Sequence, residues 1–350
     1  MSTVDMYVDG VVASMCATVI SNPFDVMRTR MQLQGELCKR GEYKVVYQNL
    51  AQGMVRVARE EGLRALQKGL VSSVMWQVMQ NGIRVGLYPA VRAEMSFTCG
   101  SDAIYVSVLA AALCGLVGNY VSSPFQLVKT RLQSQRNTIV TARGDMLSKA
   151  TTGEQYSYAG VRDAFRTIYR TGGLRALWKG SHIAAQRTLV GSATQLTAYD
   201  VAKPRICQAM GWRASDIRVH ICAAIFSSVC VVCFMNPLDV VMTRCFNHRV
   251  GEPAVYSSNL ALATWKIYRI EGVRGLYKGS MALFFRSAPH NTATFVTLEY
   301  LRKLRERYTN RSYTSGSSVD KSIRFRKLQE RATTSGEVSG KDGHQWREDK

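Results

Sequence analysis

The stretch Ser21–Gln34, SNPFDVMRTRMQLQ, decides how this chain folds. It returns as SSPFQLVKTRLQSQ from Ser122 and as MNPLDVVMTRCFNH from Met235. The prolines Pro23, Pro124 and Pro237 recur at about 100 residues, far above the roughly 20–50 of a solenoid repeat. Each copy closes an apolar run and puts a polar or acidic residue two places after its proline. Bases follow at five and seven places in the first two copies; in the third, Met242 stands at the fifth place and Arg244 at the seventh. A proline late in a helix removes one backbone hydrogen bond and kinks it. The residues two and five places on then share one helical face. Three such kinks would gather acids and bases at the foot of a helical bundle.

A second triplet lies between the apolar runs: EGLRALQKG (Glu61–Gly69), GGLRALWKG (Gly172–Gly180) and EGVRGLYKG (Glu271–Gly279). Around these marks the pattern predicts six long helices. They run over about 5–33, 70–95, 102–133, 181–208, 215–246 and 280–302, each longer than the roughly 20 residues that cross a bilayer. Residues 49–60 have helical periodicity and would lie at the membrane surface. Gly10 with Ser14, and Ala111 with Gly115, have the four-residue spacing of small residues that lets helices approach closely in lipid. The loop 134–157 is rich in Thr and Gly. The tail 305–350 is rich in Ser, Arg and Lys without apolar periodicity, and reads as disordered.

Pro23, Asp25, Arg28, Arg30 and Gln32 match, place for place, the signature of the mitochondrial carrier family, and three copies at one period make the resemblance specific over about residues 5–303. It implies an all-α membrane fold: six transmembrane helices in three pseudo-threefold repeats, with a surface helix on the matrix side of each. The repeats would be 1–97, 98–209 and 210–304, followed by the tail. The resemblance also implies a monomer of the mitochondrial inner membrane, with cardiolipin held at the second triplet. There, free backbone N–H groups face a lipid phosphate and Lys68, Lys179 and Lys278 are expected to help.

Lys and Arg number 46 against 25 Asp and Glu, a formal charge of +21 that calls for anionic partners. Nucleic acid is the poorer partner, because no zinc spacing, basic heptad or glycine-flanked aromatic ribbon accompanies the charge. A mean hydropathy of −0.10 is low for a membrane protein, but helices that line a watery cavity keep one polar face. Cys230 and Cys233 lie one turn apart in an apolar run, with no second pair to complete a metal site. No nucleophile elbow, P-loop or metal cluster suggests an enzyme or a cofactor.

In the family the signature charges pair between helices and close the matrix side. Here that implies Asp25 with Lys129 and Asp239 with Arg28. The third pair falls on Gln126 and Met242, which are uncharged. A second set would close the cytoplasmic side: Asp200 with Arg302 and Glu299 with Arg92, leaving Lys203 without an acid. Two pairs in place of three weaken each closed state, so restoring the third is expected to slow exchange.

Between the two sets, Trp76, Arg187 and Arg286 occupy equivalent positions near mid-membrane. Gln80 and His290 follow one turn on and Arg84 two turns on; Thr188 adjoins Arg187. Arginine inside a membrane costs about 2.5–3.5 kcal/mol on insertion scales and normally faces a cavity or a partner. The acid nearest this depth is Asp9, so solute-facing arginines are favoured over internal pairing. A planar guanidinium suits a carboxylate or sulfate. Arg187-Thr188 and the local runs Asn22–Leu37 and Asn81–Tyr88 resemble the oxaloacetate and dicarboxylate branch of the family. The expected activity is therefore alternating-access antiport of a small dianion; the alternatives are a carrier of the same fold for another solute, such as a nucleotide, and a non-transporting membrane adaptor on a carrier scaffold.

Overall fold

The computed structural model describes residues 3–305 except 40, 44, 100–103, 137–154, 211–216, 250–254, 258, 288, 291, 295 and 302. The tail from 306 and most of the 134–157 loop thus lie outside the described residues. The chain divides into Met1–Thr297 and Leu298–Lys350, and the packing below is that of the first unit.

In chain order the helices are α1 (Thr3–Leu33), α2 (Leu50–Glu60) with a 3-10 turn at Leu63–Gln67, α3 (Leu70–Cys99) and α4 (Ile104–Ser134). Then come α5 (Val161–Leu177), α6 (Ser181–Met210), α7 (Ile217–Asn247) and α8 (Leu260–Leu276). A last helix, α9, is described from 280 to 305. The six long elements are the six the sequence predicts, with ends shifted by a few residues, and no strand occurs among the described residues. At 30 or 31 residues, α1, α3, α4, α6 and α7 each reach about 45 Å, more than a bilayer core. Among the described residues, only Val8–Leu33, with a mean hydropathy of 1.3, is apolar enough to pass as a span by composition. Polar residues along the other helices explain the difference.

Pro23, Pro124 and Pro237 lie inside α1, α4 and α7. Just beyond them a closed ring of hydrogen bonds joins the three repeats. Arg30 Nε donates to the carbonyl of Gln133, Arg131 Nε to that of Phe246, and Arg244 Nε to that of Gln32, each at 3.1 Å. The three guanidinium groups are fully buried. Two of them also find carboxylates: Arg30 bonds Glu61 through both terminal nitrogens, and Arg244 does the same with Glu271 at 2.5 and 2.9 Å. Arg131 meets Gly172 where the others meet an acid. It lies instead under the ring of Tyr156, 4.7 Å from its centroid.

The second triplet closes the same ring. Gly69, Gly180 and Gly279 open α3, α6 and α9, the even-numbered repeat helices when the six long ones are counted in order, with φ between +71° and +84°. A Cβ at these glycines would lie 3.0 Å from Gln133, 3.2 Å from Phe246 and 3.2 Å from Gln32 respectively. Conformation and contact both demand glycine. The adjacent lysines, expected to help hold lipid, have protein partners. Lys68 donates to the Gln135 carbonyl at 2.9 Å, Lys179 to that of Arg249 at 2.5 Å, and Lys278 to that of Gln34 at 2.7 Å. Lys68 and Lys278 also pair with Glu61 and Glu271. Their ammonium groups are spent on orphan carbonyls at the ends of neighbouring helices, which need donors.

The small-residue expectation holds in part. Nothing approaches within 4 Å of a Cβ at Gly10, while Ser14 accepts from Gln77 and Asn81 of α3. The tight approach on α4 falls at Gly118, where a Cβ would lie 3.1 Å from the Gln80 carbonyl, rather than at Gly115. Apolar burial is split. One continuous cluster runs through repeats two and three, including Leu127, Ile168, Ile183, Val241, Phe246 and Ile267. Repeat one has its own smaller cluster around Met27, Tyr47 and Val57.

Burial opposes ionisation of Glu271, but the Arg244 and Lys278 charges outweigh it and hold its carboxyl below the ordinary value. Its contribution to stability is therefore present above the unfolded value of about 4.3 and is lost as pH falls through the lowered folded value. Glu271→Gln leaves Arg244 buried without a carboxylate and is expected to destabilise by about 3–5 kcal/mol. Glu60→Gln, which touches only partly exposed pairs, is expected to cost under about 1 kcal/mol. Thermal unfolding in detergent, scanned from pH 7 to 4, compares the two.

Candidate functional site

Pro23, Pro124 and Pro237 are followed in α1, α4 and α7 by the signature charges, just before the arginine ring. There Lys129 Nζ lies 2.9 Å from Asp25, and Arg28 pairs with Asp239. Both carboxylates are buried. The third position is neutral on both sides: Gln126 Nε2 points at Met242 Sδ at 3.6 Å. Two uncharged partners avoid leaving one buried charge alone.

The mid-depth residues join this layer, whereas the sequence, with Asp9 as the nearest acid, favoured solute-facing arginines over internal pairing. Arg187 of α6 binds Asp239, and Arg286 of α9 lies 2.7 Å from Asp25. The acids expected to serve one function are within one long side chain of the residues expected to serve another, because each even-numbered repeat helix leans over the kink of the next repeat. Trp76 occupies the equivalent place in repeat one, and its ring lies 5.1 Å from Lys129 Nζ. Position 126 beneath it carries no acid, so an apolar, quadrupole-bearing ring stands where the other two repeats have arginine.

The arginines keep part of their surface exposed. Arg187 and Arg286 are 28% and 21% exposed, against 0% and 5% for their acids. Arg286 Nε has no aligned hydrogen-bond acceptor despite its contact with Asp25. Around them, Thr188 Oγ1 accepts from Asn119 at 2.8 Å, and His290 Nδ1 lies 3.1 Å from Ser21 Oγ. Gln80 Oε1 and Trp76 Nε1 are buried without a partner among the described residues. Arg84 is exposed on α3.

The other expected closing set is described only in part. Arg92 is exposed on α3, and Glu299 takes Lys303 of its own helix at 2.6 Å. Arg302 and the side chains of Asp200 and Lys203 lie outside the described residues. The links of Trp76, Arg187 and Arg286 to the signature charges escape sequence reasoning. Their signal was available in the threefold count: arginine in repeats two and three, acid in repeats three and one, each arginine one repeat before its acid.

Comparison with known proteins agrees with this architecture. The family model for mitochondrial carrier protein matches residues 1–97, 100–209 and 214–309. A human protein, solute carrier family 25 member 35, is 34% identical over 293 residues, covering 82% of this chain and 94% of its own length. The mitochondrial oxaloacetate transport protein of Saccharomyces cerevisiae is 35% identical over 305 residues, covering 85% and 89%. The mitochondrial citrate transporter E of Aspergillus niger is 31% identical over 314 residues, covering 89% and 96%. With three matched repeats, a kinked helix in each and a ring that binds them, the chain belongs to the mitochondrial carrier family, multi-pass proteins of the mitochondrial inner membrane.

Proposed function

We propose that this protein exchanges small dianions, oxaloacetate or a related dicarboxylate with sulfate as a second candidate, by alternating access. One observation carries the reading. Arg28, Lys129, Arg187 and Arg286 converge on only two carboxylates, Asp25 and Asp239. The layer therefore holds an excess of two positive charges, which one dianion balances. The oxaloacetate carriers among its relatives support the same class of solute.

The geometry also supports a mechanism. Arg187 and Arg286 are the exposed members of the layer, and each can present a guanidinium fork to one anionic group of a solute. To do so they leave Asp239 and Asp25, which keep Arg28 and Lys129. Each acid then has one cation in place of two, and the closed state on the matrix side is weakened where the solute sits. A solute moves this equilibrium only by binding the intermediate state better than the closed one. Trp76, Gln80, Thr188, Arg84 and His290 shape the space between the arginines. Arg92, Asp200, Lys203, Glu299 and Arg302 close the opposite side. No step needs covalent chemistry or a cofactor. Cardiolipin remains an expected ligand through the backbone amides beside Gly69, Gly180 and Gly279, since the lysines there are already engaged. All groups named come from one chain, so a monomer suffices.

Uptake of labelled oxaloacetate and sulfate into proteoliposomes is the direct test. Arg187→Ala and Arg286→Ala are each expected to lower kcat/KM by at least about tenfold while the protein still folds, and Arg84→Ala by less. Transport of nucleotides alone by the wild type would remove the dianion reading and leave the fold. In competition, a dicarboxylate is expected to inhibit uptake more strongly than its monoamide, which lacks one charge. Equal inhibition would show that the two excess positive charges are not matched to the solute.

A further inference from the structure

We propose that repeats two and three move as one body, and that the matrix side opens only along the two lines where repeat one meets them. This rests on the transporter reading above. Most departures from threefold symmetry at the proline end fall on the junction of repeats two and three; Trp76, over Lys129, is the exception. The neutral pair Gln126–Met242 lies there. So does Phe246, fully buried, in the place held by Gln32 and Gln133 at the other two junctions; it packs on Gly180. Arg131 lies there without the glutamate that clamps Arg30 and Arg244. Thr130, which would bond a glutamine at this place, turns back to its own helix at Gln126 O, whereas Thr29 bonds Gln133 at 3.0 Å and Thr243 bonds Gln32 at 2.8 Å.

What replaces those bonds is apolar or fixed. The largest buried cluster crosses this junction without a break, through Leu127, Val128 and Leu132 of α4, Ile183 of α6, and Val241, Met242 and Phe246 of α7. Repeat one buries its own cluster. Neutral hydrogen bonds add to the tie: Ser134 to Asn247 at 2.8 Å, the Leu260 N–H to Gln186 at 3.1 Å, and Tyr156 to the Asn247 carbonyl at 2.5 Å.

The two kinds of junction respond differently to opening. Charged and amide groups regain hydration when they part, which offsets much of the lost attraction. Apolar surface regains nothing and is penalised in proportion to the area exposed. A cycle that opens and shuts many times therefore runs along the polar junctions. The ion pair across the apolar junction, Arg187 to Asp239, does not require it to part, because Arg187 is exposed enough to swing to the solute alone, while Arg131 and Lys179 tie it further through the carbonyls of Phe246 and Arg249.

The proposal reverses the expectation that restoring the third pair slows exchange. For Gln126→Glu with Met242→Arg, exchange by correctly folded protein in proteoliposomes is expected to stay within about twofold of wild type. Slowing by about tenfold or more would overturn the proposal, because only a junction that opens is resisted by a new pair. Should that variant misfold, Gln126→Cys with Met242→Cys is tethered by a short cleavable bis-thiosulfonate and compared before and after reduction in the same vesicles. Thr29→Cys with Gln133→Cys is the control across the junction of repeats one and two, and reagent-treated wild type sets the background from native cysteines. The tether at 126 and 242 is expected to leave exchange running; the tether at 29 and 133 is expected to stop it until reduced. Loss of exchange with both tethers would overturn the proposal. Tethering yield after brief exposure in membranes is a readout that needs no solute. It is expected to be higher and less temperature-dependent at 126 and 242, and the reverse order would also overturn the proposal. An inactive wild type would instead remove the dianion reading, and the yields would still decide the junction.

Discussion

Asp25 and Asp239 are buried carboxylates, and a carboxylate withdrawn from water loses several kcal/mol unless cations replace its hydration. Each is met by two, and the two come from different repeats. Asp25 of repeat one takes Lys129 from repeat two and Arg286 from repeat three. Asp239 of repeat three takes Arg28 from repeat one and Arg187 from repeat two. Two side chains thus tie all three repeats at one depth. In the proposed mechanism one cation of each acid also meets the solute. The site and the closure are then one network, and a solute that engages the arginines acts on the closure.

Beneath this layer the arginine ring has a different task. Arg30, Arg131 and Arg244 are buried, donate to carbonyls of the next repeat, and have no exposed face for a solute. Their bonds fix where the kinked helices end and so set the height of Asp25 and Asp239 above them. The glycine contacts at Gly69, Gly180 and Gly279 bring each even-numbered repeat helix against the same carbonyl layer. From there it leans far enough for Arg187 or Arg286 to reach an acid of the neighbouring repeat. Removing a charge from the ring would move the site without touching it.

Most of the fold was legible because it repeats. Pro23, Pro124 and Pro237 mark one helix per repeat, and the glycine-lysine steps mark the next; both signals depend on backbone rules that tertiary context rarely overrides. The pairs Asp25–Lys129 and Arg28–Asp239 followed from the resemblance to the family. The second contacts of those acids did not. Sequence spacing places Arg187 and Arg286 about mid-membrane, but a guanidinium sits at the end of a long flexible stem, and where it rests depends on the lean of the helix. The carbonyl partners of Lys68, Lys179 and Lys278 escaped for a related reason. A basic residue beside a glycine turn suits a lipid phosphate or a helix-terminal carbonyl equally well, and only packing decides between them.

The broken symmetry is itself ordered. Where repeat two has Gln126 in place of an acid, repeat three has Met242 in place of a base and repeat one has Trp76 in place of an arginine. Had any one of these kept its charge, a buried ion would lack its counterpart; losing all three together leaves no orphan. The same repeats that lose charge gain a shared apolar core. A symmetric bundle with three charged junctions would hold one acid, one base and one arginine more. On the proposed reading it would present three equivalent arginines to its solute, a geometry suited to three anionic groups. Removing one set leaves four cations on two carboxylates, and on that reading an excess of two positive charges for a molecule with two anionic ends.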